Sequence, residues 1–165
     1  MNYYSVMATY NQWMNQKLYD LCADIPDLER KSDRGAFFKS LHGTLNHILI
    51  ADSIWLGRFT QQPFTAQLDR ELYTDFSELR TQRERLDLTI IDWAQDLTPD
   101  WLNTDLTYTN NSGITRTLPH WVFVTHMFNH QTHHRGQLTT LLNQLGYDPG
   151  VTDLHTMPSF QKVGI

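Results

Sequence analysis

A chain of 165 residues is long enough to bury one proper core and too short for two comfortable ones, so a single domain over 1–165 is expected. The 13 Lys plus Arg stand against 18 Asp plus Glu, a net charge of -5, and this balance lacks the basic surplus that neutralising a phosphate backbone requires; nucleic acid is not an expected partner. The only cysteine is Cys22, which excludes an intramolecular disulfide and a CxxC motif and reads as a small buried hydrophobe.

The amino terminus, MNYYSVMATYNQ, has neither a basic start nor an apolar h-region, and no apolar run reaches the roughly 18 residues that span a bilayer. No membrane partner is expected, and the predicted location is cytoplasmic. Tyr3, Met7, Tyr10, Met14 and Leu21 recur at helical 3-4 spacing in a stretch free of Pro and Gly, which predicts a first helix over 3–23. Lys17 falls on that seam, at a bundle end where its ammonium reaches water. From Asp24 to Gly35, Pro26 and a charge cluster read as a loop.

A second helix is predicted over 40–60, with a broad apolar arc that includes Leu41, Leu45, Ile48, Ala51, Ile54, Trp55 and Phe59. His47 lies inside that arc. Pro63 closes the segment, and a polar crossover leads to Tyr73. Thr74 is a fitting N-cap for a third helix over 74–96, whose seam runs Phe76, Leu79, Arg83, Leu86, Ile90, Trp93, Leu97. Arg83 in that seam needs an anionic partner, an escape to water, or a substrate to anchor, and a structural salt bridge or snorkelling is the favoured reading.

Pro99 interrupts the pattern. Thr107 to Thr109 and Ile114 to Thr117 then alternate around Asn110-Asn111-Ser112-Gly113, the signal of a small β-hairpin just before the last helix. The fourth helix is predicted over 119–145 and carries five of the eight histidines: His120, His126, His130, His133 and His134. Phe123, Met127, His130, His134, Leu138, Leu141 and Leu145 share one stripe, so two histidines occupy core positions. The tail, 147–165, lacks a period and reads as an extended arm that orders only by packing. The whole is an all-α four-helix bundle with a hairpin inserted before the last helix.

Residues four apart on a helix point the same way, about 6 Å apart at Cβ, so His130 and His134 can share one metal ion. Pairs His126 with His130 and His130 with His133 also satisfy spacing, although His126 and His133 fall on one flank of the stripe, where surface, interface or supporting roles are expected. A third ligand must come from another helix, and His47 is the histidine best placed for it. His42, nearer the start of the second helix, is the weaker candidate. The bland alternative is that His130 and His134 are core histidines satisfied by Gln137 and Arg135.

Asn129-His130-Gln131-Thr132-His133-His134-Arg135-Gly136-Gln137, followed by Leu141-Leu142, Gln144, Gly146 and Asp148-Pro149-Gly150 with Thr152-Asp153-Leu154, resembles the carboxy-terminal signature of the DinB family of DinB/YfiT-like metalloenzymes. Tyr10-Asn11 with Trp13, Leu45-Asn46-His47-Ile48 with Trp55 and Arg58, and Tyr108-Thr109-Asn110 extend the likeness over nearly the whole chain. The resemblance implies an up-down-down-up four-helix bundle and a divalent metal, nickel or zinc, on His47, His130 and His134. It also implies a homodimer, and relatives that include thiol-dependent S-transferases using bacillithiol or mycothiol and a glutathione-dependent maleylpyruvate isomerase.

A three-histidine metal with an open position brings a bound water or thiol into the neutral range of pKa. No Ser/His/Asp arrangement or CxxC offers a nucleophile of the protein's own, which points to a low-molecular-weight thiol attacking a small-molecule electrophile, with hydrolysis as the variant. Asp52 reads as a polar residue on a bundle flank, and no catalytic residue is assigned. The alternative from another class is a non-catalytic metal-binding or interaction bundle.

Overall fold

The computed structural model describes residues 2–110 and 113–161. Its elements are α1 (Tyr3–Ala23), α2 (Asp27–Arg30), α3 (Leu41–Phe59), α4 (Phe76–Gln95), α5 (Pro99–Asn103), β1 (Asp105–Thr109), β2 (Thr115–Pro119), α6 (His120–Gln144) and, after a 3-10 turn at Leu154–Thr156, α7 (Pro158–Gln161). Side-chain caps start three of the four long helices: Asn2 accepts from the Ser5 amide, Ser40 from Gly43, and Asp75 from Glu78, whereas α6 follows Pro119 without one.

Four helices, α1, α3, α4 and α6, make the bundle, and their contacts fix its directions. Asn15 meets Asp87 and Asp20 meets Arg80, so α1 and α4 are antiparallel. Trp55 stacks on Phe123 and His47 meets His134, so α3 and α6 are antiparallel too. Tyr4 beside Phe128 and Asn11 beside Arg135 make α1 parallel to α6, which completes the up-down-down-up order. Parallel α3 and α4 need a long return, supplied by the crossover 60–75.

Several sequence expectations are corrected locally. The segment 24–35 holds the helical turn α2, with Arg30 Nη1 donating to the Cys22 and Ile25 carbonyls. Asp75, not Thr74, caps α4. Pro99 opens a helix instead of merely ending one, because at N1 its missing N–H costs nothing and Thr98 caps it. The hairpin forms with Leu106 opposite Leu118 and Tyr108 opposite Arg116, while the turn residues Asn111 and Ser112 lie outside the described residues. In the tail, Thr152 and Val151 offer carbonyls to Tyr10 Oη and Lys17 Nζ, each at 2.6 Å, and Met157 is buried. The arm therefore packs on α1; residues 162–165 lie outside the described residues.

The apolar core forms two clusters, one around Met14, Leu45, Leu79 and Leu142, the other around Trp55, Phe59, Ile90 and Met127. A buried polar belt crosses all four helices. Arg135 on α6 bonds Asn11 on α1; Asn11 and Asn15 donate to Asp87 on α4 at 3.1 and 2.9 Å; Arg83 pairs with Asp87 at 2.8 Å and with Asp52 on α3 at 2.6 Å. Two carboxylates face two guanidiniums, so the belt can be neutral overall. Asp52 is thus fully buried, not a flank residue, and Arg83 takes the structural salt bridge.

The crossover is clamped by Asn46, which is itself buried. Its Oδ1 accepts from the Leu72 and Tyr73 amides at 3.0 and 2.9 Å, and its Nδ2 donates to the Tyr73 carbonyl at 3.1 Å. His42 Nε2 reaches the same carbonyl at 2.8 Å. Asn46→Ala is expected to cost about 2–4 kcal/mol, since several partly buried backbone groups lose their partner together. Urea unfolding with limited proteolysis at 60–75 checks this; a loss below about 0.5 kcal/mol with no new cleavage would show that the clamp does not hold the segment.

Candidate metal centre

His130 and His134 lie one turn apart on α6, and antiparallel packing brings His47 of α3 to the same depth. The Nε2 atoms of His47 and His130 are 3.3 Å apart, those of His47 and His134 3.2 Å, and those of His130 and His134 3.0 Å. Two of the rings are oriented by hydrogen bonds at Nδ1, while the Nδ1 of His130 is buried without a partner among the described residues. His47 Nδ1 lies 2.8 Å from the Leu68 carbonyl, an acceptor only, so Nδ1 carries the proton and Nε2 is bare. His134 Nδ1 lies 2.8 Å from Gln137 Oε1, which fixes the same tautomer. Phe38 stacks on His47 with ring centroids 3.7 Å apart. That contact depends on Gly43, where a Cβ would collide with the Phe38 carbonyl.

Two bare imidazole nitrogens thus face each other at 3.2 Å, lone pair to lone pair, an arrangement that a cation relieves. Nitrogens about 2.0–2.1 Å from one zinc or nickel ion stand about 3.0 Å apart at right angles and about 3.4 Å apart at the tetrahedral angle. The observed spacings fall within that span. The donor set therefore fits a divalent metal, and His47, His130 and His134 form the cluster of potential ligands among the described residues.

Burial holds the rings neutral, the form that binds metal. It lowers His47 to about 4 against the opposing pull of the Leu68 carbonyl, and lowers His130 to about 3 with help from the neighbouring imidazoles; His134 is lowered as well, again by burial first. Protons then compete for the nitrogens only well below neutrality. Nickel affinity is expected to stay nearly level between about pH 7.5 and 5.5. A fall approaching 10³-fold, roughly what three imidazoles of ordinary pKa near 6.5 give, would contradict the burial.

The cluster opens to a cavity of about 730 Å³, lined by Phe37, Phe38, Gln67, Leu68, Asp69 and Gln137 besides the ligand rings and His133. His42 turns away to Tyr73, so it is not part of the cluster. His133 is exposed at the rim, and His126, also exposed, lies edge-on to Trp55. Gln137 satisfies His134, as the bland alternative required, but Arg135 belongs to the polar belt.

The sequence profile of the DinB family matches residues 1–162. The chain belongs to the DinB family. It is 28% identical over 152 residues to protein DinB of Bacillus subtilis (strain 168), covering 87% of each chain. It also resembles, with a TM-score of 0.67 and 25% identity, the crystal structure of a DinB-like protein from Bacillus cereus ATCC 10987, over 87% of this chain and 91% of that one. The DinB match takes in all three histidines, the crossover and the packed part of the arm. No helix among the described residues is long and apolar enough to cross a membrane.

Sequence reasoning missed what orients the DinB site. The Leu68 carbonyl has no side-chain signal, and Phe38 precedes α3 in a stretch without period. Gly43, three residues into the second helix, was the one legible hint of a close approach.

Proposed function

We propose that this DinB protein holds a divalent ion, nickel or zinc, on His47, His130 and His134 and uses it to transfer a low-molecular-weight thiol to an electrophilic small molecule. The observation that carries this reading is the convergence of three neutral imidazole nitrogens at a cavity large enough for such a thiol. A purely structural site would be closed by a fourth protein donor, and the cluster among the described residues has three. The open cavity therefore favours the enzyme over a non-catalytic bundle.

A divalent metal in this setting supplies a lowered pKa to the thiol or water that it binds. The chain's residues do the rest. Leu68 and Gln137 hold His47 and His134 in the metal-binding tautomer. Phe37 and Phe38 make an apolar wall along which the body of a bound thiol or electrophile can lie. Gln67 and Asp69 on the crossover give polar groups to the opposite rim, where a thiol's polar end can be recognised. The sulfur–carbon bond forms as the electrophile's leaving group departs with its electron pair.

Protein purified without a histidine tag should carry about one nickel or zinc per chain by elemental analysis. The loaded protein should then conjugate glutathione or bacillithiol to chlorodinitrobenzene faster than the metal-free form. No uptake after equilibration with excess nickel or zinc would sink the reading; uptake without thiol conjugation would hand the function to the non-catalytic alternative.

A further inference from the structure

A second cavity, of about 260 Å³, shares His130 and Leu68 with the first and is walled by Trp55, Arg58, Tyr108 and His126. Arg58 is its unusual member. Its guanidinium carbon sits 4.5 Å from the centroid of Trp55 and 4.4 Å from that of Tyr108, so an aromatic pair holds it in place. Yet among the described residues Arg58 makes no ion pair and donates no hydrogen bond, and none of its nitrogens is sealed from solvent. The buried arginines behave otherwise: Arg30, Arg83 and Arg135 all have donors engaged within the chain.

A half-buried guanidinium, preorganised by aromatic stacking and with its forked donors unspent, is built for a planar oxyanion. Most of the wall around it is apolar and aromatic, from Ala51, Ile54 and Trp55 on α3 to Tyr108 on the hairpin, with Asn110, His126 and His130 as its polar members. Sitting in the last turn of α3 also settles the Arg58 charge against the helix dipole, but that interaction leaves the donors unused.

We propose that the Arg58 cavity is the substrate subsite, taking a carboxylate on an apolar, preferably aryl, body: the carboxylate pairs with Arg58 and the body lies along Trp55 and Tyr108. A ligand so placed reaches the shared wall at His130 and meets the metal site from the smaller cavity, leaving the larger one for the thiol. The inference deepens the thiol-transfer reading and rests on it for the reaction, though not for the binding.

Benzoate and its neutral analogue benzamide, titrated into metal-free protein and followed by amide NMR shifts, test it. Benzoate should bind at least about tenfold more tightly than benzamide, with shifts at Trp55, Tyr108 and His126. Arg58→Gln should erase that preference, and Arg58→Lys, which keeps the charge without the fork, should restore part of it. Equal binding of the two probes by the wild-type protein, or an unchanged benzoate preference in Arg58→Gln, would overturn the subsite. Should Arg58→Gln fail to fold, Arg58→Lys takes its place: a reduced benzoate preference supports the subsite and an unchanged one overturns it. Nickel uptake is measured separately on each protein. Arg58-dependent benzoate binding without nickel uptake would sink the metal reading and uphold the subsite.

Discussion

Asp52→Ala is expected to destabilise the fold by about 3–5 kcal/mol, about a fifth or more of the stability of an ordinary domain. Arg83 is 1% exposed and its partners are Asp52 and Asp87. Burial alone would depress its pKa, but Asp87 and Asp52 outweigh that and raise it, so the guanidinium stays charged. Without Asp52 the belt holds two guanidiniums and one carboxylate, an excess positive charge with no water to solvate it. The midpoint of urea unfolding reads the loss directly. A cost under about 1 kcal/mol would mean that water enters the belt.

Apolar residues at both positions, Asp52→Leu with Arg83→Met, are expected to recover most of that stability, because a buried pair contributes little net against good packing. What the double variant should lose is alignment. The belt ties α3 to α4 and α6 to α1 at one depth, and Arg135 directly follows a metal-ligand candidate on α6. Weaker nickel binding in a stable double variant would show that the belt sets the depth of the histidines.

His47→Ala is expected to abolish stoichiometric metal binding and with it the stabilisation that metal confers. A ligand present at about a thousand times its Kd stabilises a fold by about 4 kcal/mol, so nickel should raise the wild-type melting temperature by several degrees and leave the variant unmoved. Gln137→Ala removes only the acceptor that orients His134, and an intermediate loss of about 10- to 100-fold in affinity is expected. Equal nickel content and an equal thermal shift in His47→Ala and wild type would remove His47 from the site.

Periodicity carried the bundle because it counts apolar residues, and Met14, Leu45, Leu79 and Leu138 sit where the 3-4 rhythm put them. The same counting hid the belt: Asp52, Asp87, Asn11 and Asn15 look like solvent-facing residues unless their partners on other helices are known. His130 and His134 were legible as a pair from spacing within one helix, and His47 from its place among Leu45, Ile48 and Ala51. His42 and His47 are both buried on α3, and sequence alone gives no depth along the bundle to separate them sharply. Trp55 and Arg58 share a helix face that spacing reveals, but Tyr108 reaches them from the hairpin, a meeting that no local pattern encodes. The short helices α2 and α5 were lost because Pro26 and Pro99 read as breakers where they serve as a start.

Every hydrogen bond that Asn46, His42 and His47 make to the crossover goes to its main chain: the Leu68 and Tyr73 carbonyls and the Leu72 and Tyr73 amides. Side chains along 67–69 are therefore released from the task of holding the segment in place. Gln67, Leu68 and Asp69, which face the larger cavity, can be exchanged while the backbone that orients His47 remains anchored. Substrate preference and metal chemistry are separable in such a frame, and relatives can diverge in what they recognise by changing a few crossover residues while leaving the helices that carry the histidines untouched.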